Sequence, residues 1–152
     1  MIISEILSKK PLDNPANVIA CNDSDSVRDA IARLSQHRIG AVVVLSDEVV
    51  TGIFTERDVI AGLNRSGDKF LAAPLAEVMV RKVIVVAPSQ TVDSALSLMI
   101  AHQIRHLPVV DGDKLVGMLS MRDLAMRQLE AVEQTVEFLK GQVLLGSHPL
   151  PM

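Results

Sequence analysis

Residues 18–60 align with residues 83–125 at a constant shift of 65, with no gap across 43 positions. Eleven pairs are identical, among them Val18/Val83, Ser24/Ser89, Ala30/Ala95, His37/His102, Gly52/Gly117, Arg57/Arg122 and Asp58/Asp123. Many others exchange one apolar residue for another, such as Leu34/Met99 and Val42/Leu107. Two copies are too few for a solenoid. They suit two half-units that close on each other about a pseudo-dyad, creating two related clefts, and clefts between repeated units are common ligand sites.

At 152 residues the chain fits one domain, or two half-domains sharing a core. Its 49% hydrophobic content supplies that core, yet the longest apolar runs fall far short of the roughly 20 residues of a membrane helix. The N-terminus has its Lys pair after the apolar residues, the reverse of a secretory signal. The single cysteine, Cys21, forms no internal disulfide and reads as a buried thiol in a reduced, cytoplasmic setting. A net charge of −3 and only three Phe, with no Trp or Tyr, argue against a nucleic-acid surface.

Each repeat reads strand, helix, strand, strand, helix: an α/β (α+β) β-α-β-β-α unit. In the first, Val18–Cys21 is a strand, and Ser26 with Asp29 resembles a capping box. Val27, Ala30, Ile31 and Leu34 form a helical stripe. Ala41–Leu45 and Val49–Phe54 are strands around a polar turn. A helix follows from Glu56 to about Asn64. In the second, Val83–Val86 is the strand and Thr91 caps the helix carrying Val92, Ala95, Leu96 and Met99. Leu107–Val110 and Lys114–Leu119 flank the hairpin signal Asp111-Gly112-Asp113. Pro108 places Leu107–Val110 at an edge or at a strand start.

Residues 65–74 read as a linker, and 75–79 as one helical turn. Ser4–Leu7 echoes Ala76–Met79, so each repeat has a similar lead-in, with a longer loop containing Pro11 and Pro15 after the first. The resulting division is 1–66 for repeat one with its lead-in, 67–129 for repeat two, and 130–152 for a helix extension and frayed tail. From Met121 the last helix runs to about Leu145. Ala125, Leu129, Val132, Val136, Leu139 and Val143 are spaced 4, 3, 4, 3, 4 along it, a heptad stripe. Such a stripe fits packing on its own domain or contact between subunits.

Both repeats end their hairpin alike: Gly52-Ile53-Phe54-Thr55-Glu56-Arg57-Asp58 and Gly117-Met118-Leu119-Ser120-Met121-Arg122-Asp123. Thr-x-x-Asp and Ser-x-x-Asp suit helix capping alone, worth about 1 kcal/mol per cap. The doubling, the Gly that lets something approach the strand backbone, and the Arg at a helix N-terminus add a second reading. A helix N-terminus with Arg favours phosphate. A carboxylate beside it can accept both hydrogen bonds of a vicinal diol. Ribose plus phosphate describes a nucleotide, with apolar strand walls for the base.

The doubled unit with Gly-h-h-[Thr/Ser]-x-x-Asp resembles a tandem pair of cystathionine-β-synthase (CBS) domains, a Bateman module, over about residues 3–129. Ile104–Val110 and Phe54–Asp58 carry further likeness. The resemblance implies two repeats packed sheet against sheet, with two clefts for adenosine compounds: AMP foremost, or ADP, ATP, NAD-type dinucleotides or S-adenosylmethionine. It implies ribose-binding roles for Asp58 and Asp123, with Thr55 and Ser120 against ribose or phosphate. Arg57, Arg122, Arg105 and His106 become phosphate candidates. Gly40 and Ala41 stand where the second repeat has Arg105 and His106, so the clefts are expected to differ in chemistry.

His37 and His102 read as helix-end residues, and no His pair has the spacing typical of a zinc site. Neither Gly-x-Gly-x-x-Gly nor a P-loop is present. The leading expectation is therefore a stand-alone, non-catalytic regulatory module that senses adenine nucleotides, is homodimeric, and acts on an unknown regulated protein. No metal, catalytic cofactor, nucleic acid or membrane enters it. A dimerisation adaptor with non-binding clefts is the alternative, and a nucleotide enzyme is the weakest reading.

Overall fold

The computed structural model describes residues 1–8 and 18–145, and in it the doubling is the architecture. The lead-in helix α1 spans Ile3–Leu7. The first repeat follows as β1 (Ala20–Asn22), α2 (Val27–His37), β2 (Ala41–Ser46), β3 (Val49–Thr55) and α3 (Glu56–Ser66). After α4 (Leu75–Val78) the second repeat supplies α5 (Val92–His102), β4 (His106–Asp111), β5 (Lys114–Ser120) and α6 (Met121–Leu145). The Pro11/Pro15 loop and the tail expected beyond Leu145 lie outside the described residues.

Local chemistry sets the helix ends. Ser26 Oγ accepts from the Asp29 amide at 3.1 Å while Asp29 Oδ2 accepts from the Ser26 amide at 3.0 Å, closing the box that starts α2. Thr91 Oγ1 takes the Ser94 amide at 3.1 Å to start α5. Both helices stop at a left-handed residue, Arg38 and Gln103. The stripes bury as expected: Val27, Ala30 and Leu34 in α2, Ala95 and Met99 in α5. Full burial of a side chain the size of Val27, Leu34 or Met99 is worth about 1.5–3 kcal/mol.

In the first repeat β1 runs parallel to β2, and β2 pairs antiparallel with β3. The second has only the β4–β5 pair plus one parallel bridge, Val86 to Val109. The expected strand at Val83–Val86 is thus reduced to its last residue. Pro108 supplies the reason. The Val86 amide donates to the Pro108 carbonyl at 3.0 Å, and the Val110 amide to the Val86 carbonyl at 2.8 Å. Residue 108 therefore faces this segment, and proline has no N–H to extend the ladder there. The β5 side of the same residue is unaffected, so β4 runs straight through Pro108 rather than starting at it.

The lead-ins are exchanged. Ile3 and Ile6 of α1 are buried in the core of the second repeat, with Val86, Met99, Leu107 and Leu119. Leu75 and Met79 are buried in the core of the first, with Val27, Leu34, Val44 and Phe54. The same three backbone bonds hold each one. Ile3 and Ser4 donate to the carbonyls of Gln90 and Pro88, and Val92 donates to Met1. Leu75 and Ala76 donate to Asp25 and Asp23, and Val27 donates to Ala73. Each lead-in thereby satisfies amide and carbonyl groups at the turn before the other repeat's first helix.

The stretch expected as a plain linker is folded. Gly67–Ala72 forms a 3-10 turn that buries Phe70, whose ring lies 6.2 Å from that of Phe54 and fills the place of a side chain at Gly62. Between the halves, Ala41, Val43 and Met118 are buried together, flanked by Leu45, Val50, Ile53 and Leu115. This sheet-to-sheet contact sets the two motif helices about the pseudo-dyad. Among the described residues no helix is long and apolar enough to cross a membrane.

Leu124, beside the stripe on α6, is buried in the second core, while Ala125, the first stripe position, is exposed. From Leu129 to Val143 the heptad positions are 43–59% exposed, so this part of the stripe does not pack on its own domain.

Candidate functional site

The strand-to-helix junctions place the motif side chains. Thr55 is the extended N-cap of α3; its Oγ1 accepts from the Asp58 amide at 3.3 Å. Asp58 Oδ2 accepts from the Thr55 amide at 2.9 Å and from the Thr55 hydroxyl at 3.1 Å. At α6, Ser120 Oγ accepts from the Asp123 amide at 3.1 Å and Asp123 Oδ2 accepts from the Ser120 amide at 2.8 Å. Both carboxylates therefore fold back on their own helix starts, and in both it is Oδ2 that does the capping. For Asp58 this leaves Oδ1 without a hydrogen bond among the described residues, in a side chain that is only half-buried.

The motif glycines serve a different purpose from the one their position suggested. A Cβ on Gly52 would stand 2.7 Å from Met79 Cγ, and one on Gly117 would stand 2.8–2.9 Å from the Leu7 methyls. What approaches each strand closely is the other repeat's lead-in. The lead-in echo and the doubled glycine are both legible in the sequence, but their contact is made only in the fold.

Register joins the strand starts to the helix entrances. Ala41 pairs with Thr55, and His106 with Ser120. The Glu56 amide donates to the Gly40 carbonyl at 3.0 Å, and the Met121 amide to the Arg105 carbonyl at 2.8 Å. His106 also reaches across the pseudo-dyad. Its Cε1 and Nε2 lie 3.2 and 3.3 Å from where a Gly40 Cβ would be, beside Glu56 Oε1 at 3.2 Å from the same point. The glycine that distinguishes the first repeat thus makes room for the histidine that distinguishes the second. Glu56 was not singled out from the sequence; the signal was its replacement by Met121 in the other copy.

The arginines stand apart. Arg57, Arg105 and Arg122 are exposed and make no ion pair among the described residues. On a helix, neighbours such as Arg57 and Asp58 do not share a face. Beside the first entrance, Ile31, Leu34, Ile39, Val59 and Ile60 line an apolar groove together with Glu56. It is built by α2 and α3, with Ile39 from the turn that follows α2. Elsewhere Cys21 is buried, and burial pushes its thiol above the usual range while Arg33 pulls it back.

Comparison with known proteins gives one consistent result. The family model described as "CBS domain" matches twice, at residues 3–65 and 75–130. The mitochondrial CBS domain-containing protein CBSX3 of Arabidopsis thaliana is 31% identical over 149 residues, covering 95% of this chain and 72% of that protein. A crystal structure of the CBS-domain containing protein ATU1752 from Agrobacterium tumefaciens superimposes with a TM-score of 0.76 at 30% identity, covering 84% of this chain and 92% of that one. The CBS domain pair of protein MJ0100, solved in complex with 5-methylthioadenosine and S-adenosyl-L-methionine, superimposes with a TM-score of 0.72 at 25% identity, covering 86% and 97%.

Proposed function

The chain belongs to the CBS-domain family, and from that premise we propose that it is a regulatory module whose two clefts bind an adenosine-containing ligand. The observation that carries this is the division of labour within Asp58. One carboxylate oxygen caps α3 while the other has no partner among the described residues and is not fully buried. Capping and ligand binding are therefore compatible. An accessible carboxylate oxygen beside a helix N-terminus suits a ribose hydroxyl, and the amides of that N-terminus suit phosphate. The adenosine compounds bound to MJ0100 support the ligand class.

In this reading Asp58 with Thr55 and Asp123 with Ser120 hold the two riboses. Arg57, Arg122 and Arg105 meet phosphates at the rims, and His106 serves the junction where the halves meet. AMP is the foremost ligand, with ADP, ATP, NAD or NADH as further forms. The clefts are unequal, because Arg105 and His106 answer to Gly40 and Ala41. The module has no catalysis of its own. Binding changes the relative position of repeats or subunits, and so the activity of another protein, by the ligand's differential affinity for the two states.

The capping boxes favour one second reading, since they are complete without a ligand: a dimerisation adaptor whose clefts bind nothing. Thermal melting in the presence of AMP, ADP, ATP, NAD, NADH and S-adenosylmethionine separates the two. A ligand at 100 times its Kd adds about 2.7 kcal/mol, on the order of 5–10 °C for this chain length. No shift with any of the six supports the adaptor.

A further inference from the structure

We infer that the exposed half of α6 pairs antiparallel with α6 of a second copy of this chain, in a register set by Glu133 and Lys140. Leu129, Val132, Val136, Leu139 and Val143 lie at a and d positions and are 43–59% exposed. An apolar stripe that repeats every 3.5 residues is the seam of a coiled coil. Between Met126 and Leu145 the helix carries Glu130, Glu133 and Glu137 against Arg127 and Lys140. That slight acidity disfavours an anionic lipid surface as the cover.

Charge decides both direction and register. In the heptad, Glu133 and Lys140 occupy e positions, while the g positions are Gln128, Thr135 and Gln142. A parallel pair places g against e, here Gln128 against Glu133 and Thr135 against Lys140, with no opposite charges meeting. An antiparallel pair places e against e. With Val136 level with Leu139 of the second copy, Glu133 faces Lys140 twice, once on each side of the dyad. Val132 then meets Val143. Moving the alignment so that Val132 meets Val136 puts Glu133 against itself, which repels. In the favoured register Leu145 of one helix ends level with Glu130 of the other. The folded bodies, which begin at Leu124, then sit at opposite ends of the pair.

This inference is independent of ligand binding, so the two fail separately. Sedimentation of the full chain across concentrations tests it. Glu133 and Lys140 are exposed, so changing them leaves the fold intact. Glu133→Lys and Lys140→Glu each turn two attractions into two repulsions, and each is expected to weaken the dimer about 5- to 30-fold at low salt. The double variant Glu133→Lys/Lys140→Glu restores the original affinity. A chain that stays monomeric overturns the inference, as does a dimer indifferent to both single changes or single changes that the double variant does not rescue.

Discussion

Met79 occupies the space that a side chain on Gly52 would need, its Cγ 2.7 Å from where a Cβ would stand and its Sδ closer still. Gly52 opens the motif that holds the first candidate ribose site, while Met79 belongs to the lead-in preceding the second repeat. The site of each half therefore rests on chain from the other, and neither repeat completes its core alone.

Gly52→Ala is expected to destabilise the fold by about 1–3 kcal/mol through overpacking. Gly117→Ala is milder, below about 1 kcal/mol, because only the rotatable ends of Leu7 stand in the way. Urea unfolding measures both. In the double variant Gly52→Ala/Met79→Ala the total falls short of the sum of the single effects. Strict additivity would mean that the two side chains do not compete for one space.

Exchange of the lead-ins predicts a crossed pattern of local protection. Ile6→Ala removes a side chain that is 2% exposed, and Leu75→Ala one that is fully buried; each costs about 2–5 kcal/mol. Amide exchange should quicken in β4 and β5 for Ile6→Ala, and in β1, β2 and β3 for Leu75→Ala. Faster exchange within the neighbouring repeat in sequence would refute the exchanged packing.

Cys21 reports on the first core. Burial raises its pKa above the ordinary value of 9.0, so the folded state keeps the proton more tightly than the unfolded chain. The associated stability is fully present below about pH 9 and is lost as pH rises through the folded value. At pH 8 the thiol should react with an aromatic disulfide reagent only as fast as the first repeat opens. Reaction at the rate of a free thiol would contradict its placement.

Capping and binding can be separated at one atom. Asp58→Asn keeps an oxygen that can accept from the Thr55 amide, so thermal stability should change by only a few tenths of a kcal/mol. Asp58→Ala removes that acceptor and with it the reciprocal half of the capping box, leaving only the Thr55 hydroxyl on the residue-58 amide, and costs up to about 1 kcal/mol. Equal melting temperatures for the two variants would show that an acceptor oxygen at position 58 contributes nothing to the α3 entrance.

Much of the fold was legible because apolar spacing and cap residues act locally: Ser26, Thr91, Thr55 and Ser120 each announced a helix start within three residues. What stayed hidden depends on contact across long stretches of chain. Nothing in Ser4–Leu7 says which of two similar cores it enters. Pro108 advertised a weakened strand, but which neighbour lost its bond depended on the side that residue 108 faces. Phe70 sits among turn formers, and only the small Gly62 opposite makes it a core residue. Within the candidate site, the Thr55–Asp58 and Ser120–Asp123 pairs were readable as neighbours in sequence. The meeting of His106 with Gly40 and Glu56 was not, because it is made across the pseudo-dyad.

The central claim is that the motif carboxylates grip a ribose diol. Calorimetric titration of AMP and of its 2′,3′-dideoxy counterpart, against the natural chain and Asp58→Asn/Asp123→Asn, tests it most directly. Charge-assisted bonds of about 1.5–3 kcal/mol predict that losing the diol, or both carboxylates, weakens binding by about 10- to 150-fold. AMP and its dideoxy counterpart binding equally well, or the double variant binding AMP as tightly as the natural chain, would contradict the account.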